Sequence, residues 1–198
     1  MIFTPGNDQS AVLDACVLVP MALCDLLLRL AEEPAMYRPL WSEQILTEMT
    51  KALRTKLHRS SEQAARRRQQ MKEASPEAMV TFPSALLKAV ECIPDKNDRH
   101  VLAAAIAGHA SAIITQNIRH FPKDCCEKYG VRCQTPDDFL IDQYRLSPQL
   151  VLDKLDDQAA GISQGREFVV TSLKASVPRF CGLVDSHLRT GLANAPNG

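Results

Sequence analysis

The sequence predicts an α/β domain whose parallel sheet is flanked by helices on both faces. Two observations carry this. Short apolar runs of strand length, AVLD at 11–14 and SAIIT at 111–115, alternate with longer helical patterns, and parallel strands require such crossovers. The runs are also continuously apolar rather than alternating, as strands covered on both faces are. A length of 198 residues suits one domain with an appendage and allows a real core.

AVLD opens the chain as a buried strand that stops at Asp14. A helix follows, begun by Pro20 and ended before Pro34, and YRPLWS forms a short strand or turn. SEQILTEMTKALRTKL reads as a helix capped by Ser42, with Ile45, Leu46, Met49, Leu53 and Leu57 as its apolar stripe. A polar helix over about 61–74 carries the Arg66, Arg67, Arg68 run. Residues 75–94 are less patterned, with a helix at SALLKAV. Next come a helix from Asp98 to about Gly108, the SAIIT strand and a loop to Pro122. DCCEKYG forms a short helix closed by Gly130, VRC a strand, and TPDDFLIDQY a helix with Thr135 as cap and Pro136 in its first turn. Past residue 146 the pattern is helical throughout, which divides the chain into a domain at 1–146 and a C-terminal helical extension at 147–198.

No internal period or sustained heptad is present, which excludes solenoids, propellers and coiled coils. Basic and acidic residues balance at 23 each, so net charge alone decides nothing about partners. Distribution is more telling: between Lys51 and Lys72 eight cations face one acid, Glu62, and such a local excess suits phosphate. Seven cysteines without a CxxC pair predict reduced thiols, with neither a disulfide framework nor a zinc knuckle. The start lacks the basic segment of a signal peptide, and the apolar stretch at 11–30 is interrupted by Asp14, Pro20, Asp25 and Arg29, so a cytoplasmic protein that does not enter membranes is expected.

In open parallel sheets functional residues gather beyond the carboxyl ends of the strands. Asp14 and Asn117 fall there, and Asp98 heads the buried stripe Val101, Leu102, Ala105 of its helix. Simple N-capping by Asp98 or Asn97 explains one polar residue, but not three from separate segments. Glu48 lies about 60° beyond Ile45 on its helical wheel, at a cleft margin. Clustered carboxylates repel unless a cation joins them, and hard oxygen ligands suit Mg²⁺ or Mn²⁺, which activates water and offsets phosphodiester charge. Other chemistries fit poorly. Asp14-Ala15-Cys16 lacks the second Asp of a haloacid-dehalogenase loop, no P-loop is present, and the Cys126 to Arg132 spacing of a cysteine phosphatase encloses a charged, glycine-poor run.

LDACVLVP around Asp14, SEQILTEM around Glu48, NDRHVLAAAIAGHASAIITQN and the following IRHF resemble the PIN-domain ribonucleases, and among them the VapC-like toxins of bacterial toxin-antitoxin pairs. The resemblance spans about residues 10–142. It implies a three-layer α/β/α fold and a Mg²⁺- or Mn²⁺-dependent endoribonuclease, with Asp14, Glu48 and Asp98 as metal ligands and Asn117 as a neutral member of the catalytic set. It further implies a homodimer silenced by a cognate antitoxin. Cys16 stands where many members have Asn, and Asn117 where an acid is common; Asp95 is a candidate for the missing carboxylate. Lys51, Arg54, Arg66, Arg67, Arg68 and Arg119 are the expected RNA contacts, which supply affinity rather than sequence choice. A catalytically weak PIN module binding RNA or a protein, or a DNA nuclease, are the alternatives.

Overall fold

The computed structural model describes residues 9–193, and the chain divides into two compact units between Thr135 and Pro136. The first unit runs β1 (Ser10–Leu13), α1 (Ala15–Leu18), α2 (Met21–Arg29), β2 (Arg38–Ser42), α3 (Glu43–Lys56) and α4 (Ser61–Ala74). A 3₁₀ turn at Pro76–Ala78 leads into β3 (Met79–Val80), α5 (Ala85–Ala89), α6 (Arg99–Ala107) and β4 (Ala112–Ile114). A second 3₁₀ turn, Ile118–His120, precedes α7 (Lys123–Glu127) and β5 (Arg132–Gln134). The five strands pair in the order β3-β2-β1-β4-β5, all parallel, with helices flanking the sheet as in an α/β/α PIN-like arrangement.

Burial explains why the strand runs lack alternation: every residue of β1 and β4 is buried, so each pleat meets a covered face. Ser42 starts α3 by accepting a hydrogen bond from the Ile45 N–H at 3.3 Å, and Ser60 and Gln63 form a reciprocal capping box at the start of α4. In α6 burial extends over His100, Val101, Leu102, Ala103, Ala104 and Ala105, and the three alanines let the helix lie close across β1, β2 and β4. Full burial of Leu102 alone contributes about 1.5–3 kcal/mol. The close approach continues at Gly108, where a Cβ would stand 2.8 Å from Leu40 Cδ1 and 3.0 Å from Val80 Cγ2.

Several expectations need correction. Leu57 is 47% exposed and not part of the α3 stripe, because α3 ends at Lys56 and His58 takes a left-handed φ of 51° that turns the chain into α4. A helical turn, α1, begins directly after Asp14, before Pro20. The patternless stretch at 75–94 contains β3, too short at two residues to show a period. The thiols are not all free: Cys92 and Cys125, with Cα atoms 5.7 Å apart, form a disulfide across 33 residues. An odd cysteine count leaves at least one thiol unpaired, but it does not forbid a pair made by tertiary proximity.

The second unit contains α8 (Pro136–Leu146), α9 (Pro148–Gly161), α10 (Arg166–Leu173) and α11 (Pro178–Ala193). The division therefore lies one helix before residue 146, since α8 packs with α9 and α11. Asp137 fixes the start of α11 by accepting from the backbone N–H groups of Arg179 and Phe180 at 3.1 and 2.7 Å. Among the described residues no helix is long and apolar enough to cross a membrane.

Candidate active site

The strand order places a topological switch between β1 and β4: the chain builds outward through β2 and β3 on one side and through β5 on the other. Open α/β sheets bind ligands at the carboxyl ends of the strands on either side of such a switch. Asp14 leaves β1 there, its backbone N–H bonded to the Ile114 carbonyl at 3.1 Å. Its carboxylate is buried and held on one side. Oδ2 accepts from the Thr115 hydroxyl at 2.6 Å and from the Cys16 thiol at 3.0 Å. The Asn117 N–H in turn donates to Thr115 Oγ1 at 3.0 Å, and the Gln116 N–H to Cys16 Sγ at 3.2 Å. Among the described residues Oδ1 of Asp14 has no hydrogen-bond partner. Burial, then the neighbouring Asp14 charge, pushes the Cys16 thiol up to about 12, so it remains a donor to Asp14.

Asp98 occupies the N-cap position of α6 without capping it. Its Oδ2 instead lies 2.7 Å from His120 Nδ1, on the 3₁₀ turn after β4. Partial burial raises the Asp98 carboxyl above its ordinary value; His120 opposes the shift, and the Asp95 and Asp14 carboxylates add to it. Asp95 closes its own turn by accepting from the Asn97 N–H and side-chain amide at 2.9 and 3.0 Å. One ligand atom each from Asp95, Asp98 and His120 lie within 4.8 Å of one another. Asp95 thus does the turn-closing work, which leaves the Asp98 carboxylate directed at the cluster.

Glu48 is drawn elsewhere. Its Oε1 stands 2.9 Å from Nε2 of His100, a residue 1% exposed on the first turn of α6. The approach lies off the ring N–H direction, so it is a close polar contact rather than an aligned hydrogen bond, and neither ring nitrogen has a well-directed partner. Asp14, Glu48 and Asp98 therefore do not close into one tight carboxylate group among the described residues; the tight group is Asp95, Asp98 and His120.

The cations divide as well. Arg67 donates to the carbonyls of Leu18 and Val19 at 2.5 and 3.1 Å and so ties α4 to α1, while Arg68 binds Glu43 and the Thr47 hydroxyl. Lys51, Arg54, Arg66 and Arg119 are exposed. Thr115, Cys16, His100 and His120 were not assigned site roles from sequence. Their spacings carry no motif, and only the helical offset of His100 from Asp98 and the nearness of His120 to Asn117 hint at them.

A family model described as a PIN domain matches residues 10–119, more than half of the chain and all of the site except His120. The chain belongs to the PIN-domain family. Over 49 residues the chain is 51% identical to "Putative ribonuclease VapC50" of Mycobacterium tuberculosis (strain ATCC 25618 / H37Rv). The match covers 25% of this chain and 29% of that protein's length. A solved structure of VapBC-1 from nontypeable Haemophilus influenzae superposes with a TM-score of 0.46 at 16% identity, covering 65% of this chain and 98% of that one. The PIN match begins at the first residue of β1 and ends within the turn that carries His120, so Asp14, Glu48, Asp95, Asp98 and Asn117 all lie inside it.

Proposed function

We propose that this PIN domain is a divalent-metal-dependent endoribonuclease, the toxin of a toxin-antitoxin pair. The observation that carries the proposal is the close set of Asp95, Asp98 and His120, with the Asp14 carboxylate near enough to add to the upward shift of Asp98. The donor set fits a divalent ion: carboxylate oxygens suit Mg²⁺ or Mn²⁺, and a bound cation offsets both the burial and the lesser carboxylate repulsion that raise Asp98. The His120 imidazole tilts the preference toward Mn²⁺, since nitrogen donors suit Mg²⁺ poorly. Such an ion, when bound, supplies a more acidic water and offsets the charge of the phosphodiester.

The chain's own groups do the positioning. Thr115 and Cys16 fix the Asp14 carboxylate through Oδ2 and leave Oδ1 unengaged among the described residues, and His120 holds Asp98. Glu48, at the cleft margin against His100, is a carboxylate able to accept a proton. Asn117 presents an amide that orients water or substrate, and exposed Arg119 meets the scissile phosphate. Asp14, Glu48 and Asp98 remain the proposed ligands, with Asp95 and His120 joining them. The resemblance to VapC-like toxins, and the ribonuclease name of the Mycobacterium relative, support RNA as substrate and bring with them a cognate antitoxin and a homodimer. The Cys92–Cys125 bond weighs against the cytoplasm, where thiols are mostly kept reduced.

The test is cleavage of single-stranded RNA, tRNA and DNA side by side, with Mg²⁺ or Mn²⁺ and with chelator, alongside calorimetric titration of each ion. RNA cleavage that requires the ion and is lost in the Asp14→Asn, Asp98→Asn double variant is expected. Cleavage persisting in excess chelator, or in the double variant, refutes the reading. The engagement of Glu48 by His100 favours one second reading, a catalytically weak module that binds RNA or a protein. Undiminished RNA affinity with no turnover at any metal concentration would establish it.

A further inference from the structure

Away from the acidic cluster, α3 and α4 splay from the tight turn at His58 and enclose a cavity of about 570 Å³. Its walls are hydroxyls and cations, with no apolar side chain. The threonine hydroxyls on the α3 wall donate to carbonyls of their own helix, and Arg68 is already bound to Glu43. Lys51, Arg54 and Arg59 are different: among the described residues none has a carboxylate within ion-pair distance, although all three line the same space. The capping box of α4 engages the N–H groups of Ser60 and Gln63 and leaves that of Ser61, at the cavity wall, open to an acceptor. One anion already reports on this environment. The Ser60 hydroxyl, the backbone N–H of Glu62 and the Arg54 charge hold the Glu62 carboxyl below its ordinary range.

We propose that this cavity is a phosphate subsite that takes a backbone phosphate of the RNA strand away from the bond being cut. The proposal rests on the ribonuclease reading for its substrate class. An acidic protein segment fits less well, because protein interfaces depend on apolar and aromatic anchors and this cavity offers none. Continuity with Glu48, a proposed ligand at the cleft margin, also favours the strand: Lys51, lining the cavity, lies one helical turn from Glu48, and Arg54 lies about 9 Å along the same axis, within the reach of a few nucleotides. Glu62 carries a like charge to phosphate beside Arg54, so its removal and the removal of the cations should act in opposite directions.

The experiment measures fluorescence anisotropy of a single-stranded RNA dodecamer and of a dinucleotide over a salt series in chelator, so that binding is read without cleavage. The Lys51→Gln, Arg54→Gln, Arg59→Gln variant should bind the dodecamer at least tenfold more weakly, with a log K against log salt slope smaller by about 2, as expected for three contacts at about 0.7 each on a single strand. The dinucleotide, too short to span both sites, should lose less. Glu62→Gln should tighten the dodecamer two- to threefold, and inorganic pyrophosphate should compete less well against the triple variant than against wild type. An unchanged slope in the triple variant, or weaker binding by Glu62→Gln, overturns the subsite whether or not the chain cuts RNA. Loss of affinity for a poly-glutamate peptide with the RNA slope unchanged assigns the cavity to an acidic protein and overturns it equally. Absence of cleavage with the slope effect present removes the nuclease reading and leaves the phosphate subsite standing.

Discussion

Replacing Thr115 by Val tests whether the Asp14 carboxylate is held from behind. Thr115 is fully buried, and its hydroxyl donates to Asp14 Oδ2 at 2.6 Å across 101 residues of sequence. Valine keeps the shape and removes the donor, so packing is nearly conserved and the electrostatic loss stands alone. A hydrogen bond to a charged group contributes about 1.5–3 kcal/mol, and a carboxylate so deeply buried cannot recover it from water. The same oxygen accepts the Asn117 N–H at 3.0 Å, so the substitution also loosens the turn after β4. A loss of about 2 kcal/mol corresponds to a fall in Tm of about 4–8 °C for a chain of this size. Cleavage should drop by about 10- to 100-fold, the usual cost of losing a group that orients a metal ligand. Differential scanning calorimetry and single-turnover cleavage are the assays, with Thr115→Ser as the control that retains the hydroxyl. A valine variant that melts within about 1 °C of the serine variant and cleaves equally fast would refute the reasoning.

Asp98→Asn removes one of the crowded carboxylates; the metal-free protein should melt slightly higher at pH 7, and the upward Tm shift produced by Mn²⁺ in wild type should vanish, both readable by thermal-shift assay with and without chelator. Gly108→Ala forces a Cβ to within 2.8 Å of Leu40 Cδ1, so urea unfolding should show a loss of about 1–3 kcal/mol. Glu43→Gln tests the pH dependence of the α3–α4 clamp. Lys72, then Arg68, hold the Glu43 carboxyl below its ordinary range. With the folded value depressed, the stabilisation is complete above the unfolded carboxyl pKa and disappears as pH falls through the folded one. Because Glu43 is more than half exposed, the difference between variant and wild type at pH 7 should be at most about 0.5–1 kcal/mol, and the two denaturation curves should converge below about pH 4.

What was readable from the sequence shares one property: it depends on local periodicity. Asp14 ends an apolar run and Asp98 heads a buried stripe, so both could be placed before any contact was known. The parallel sheet followed from strands without alternation. What was not readable depends on tertiary pairing. His120 reaches Asp98 across 22 residues, Thr115 reaches Asp14 across 101, and Cys92 meets Cys125 across 33, and no spacing rule encodes these. Glu48 was correctly put at a helical margin, but its neighbour His100 belongs to another helix and is hidden in an alanine-rich run. In the Arg66, Arg67, Arg68 run all three carry the same charge, yet Arg67 is a structural tie between helices because its guanidinium meets two carbonyls left open where α1 ends.

The pairing of β1 with β4 also bears on when the protein can first act. Val12 stands beside Ile113, with two strands and six α-helices of sequence between them. A contact this far apart closes a long loop, which is entropically costly and forms late in folding. During synthesis from the N-terminus, Asp14 leaves the ribosome about a hundred residues ahead of the Thr115 that fixes it, so the emerging chain carries an unformed centre until β4 docks. Any product truncated before β4 is inert for the same reason, whatever acids it retains. On the ribonuclease reading proposed above, this delay means that the activity is acquired only after translation is well past the middle of the chain.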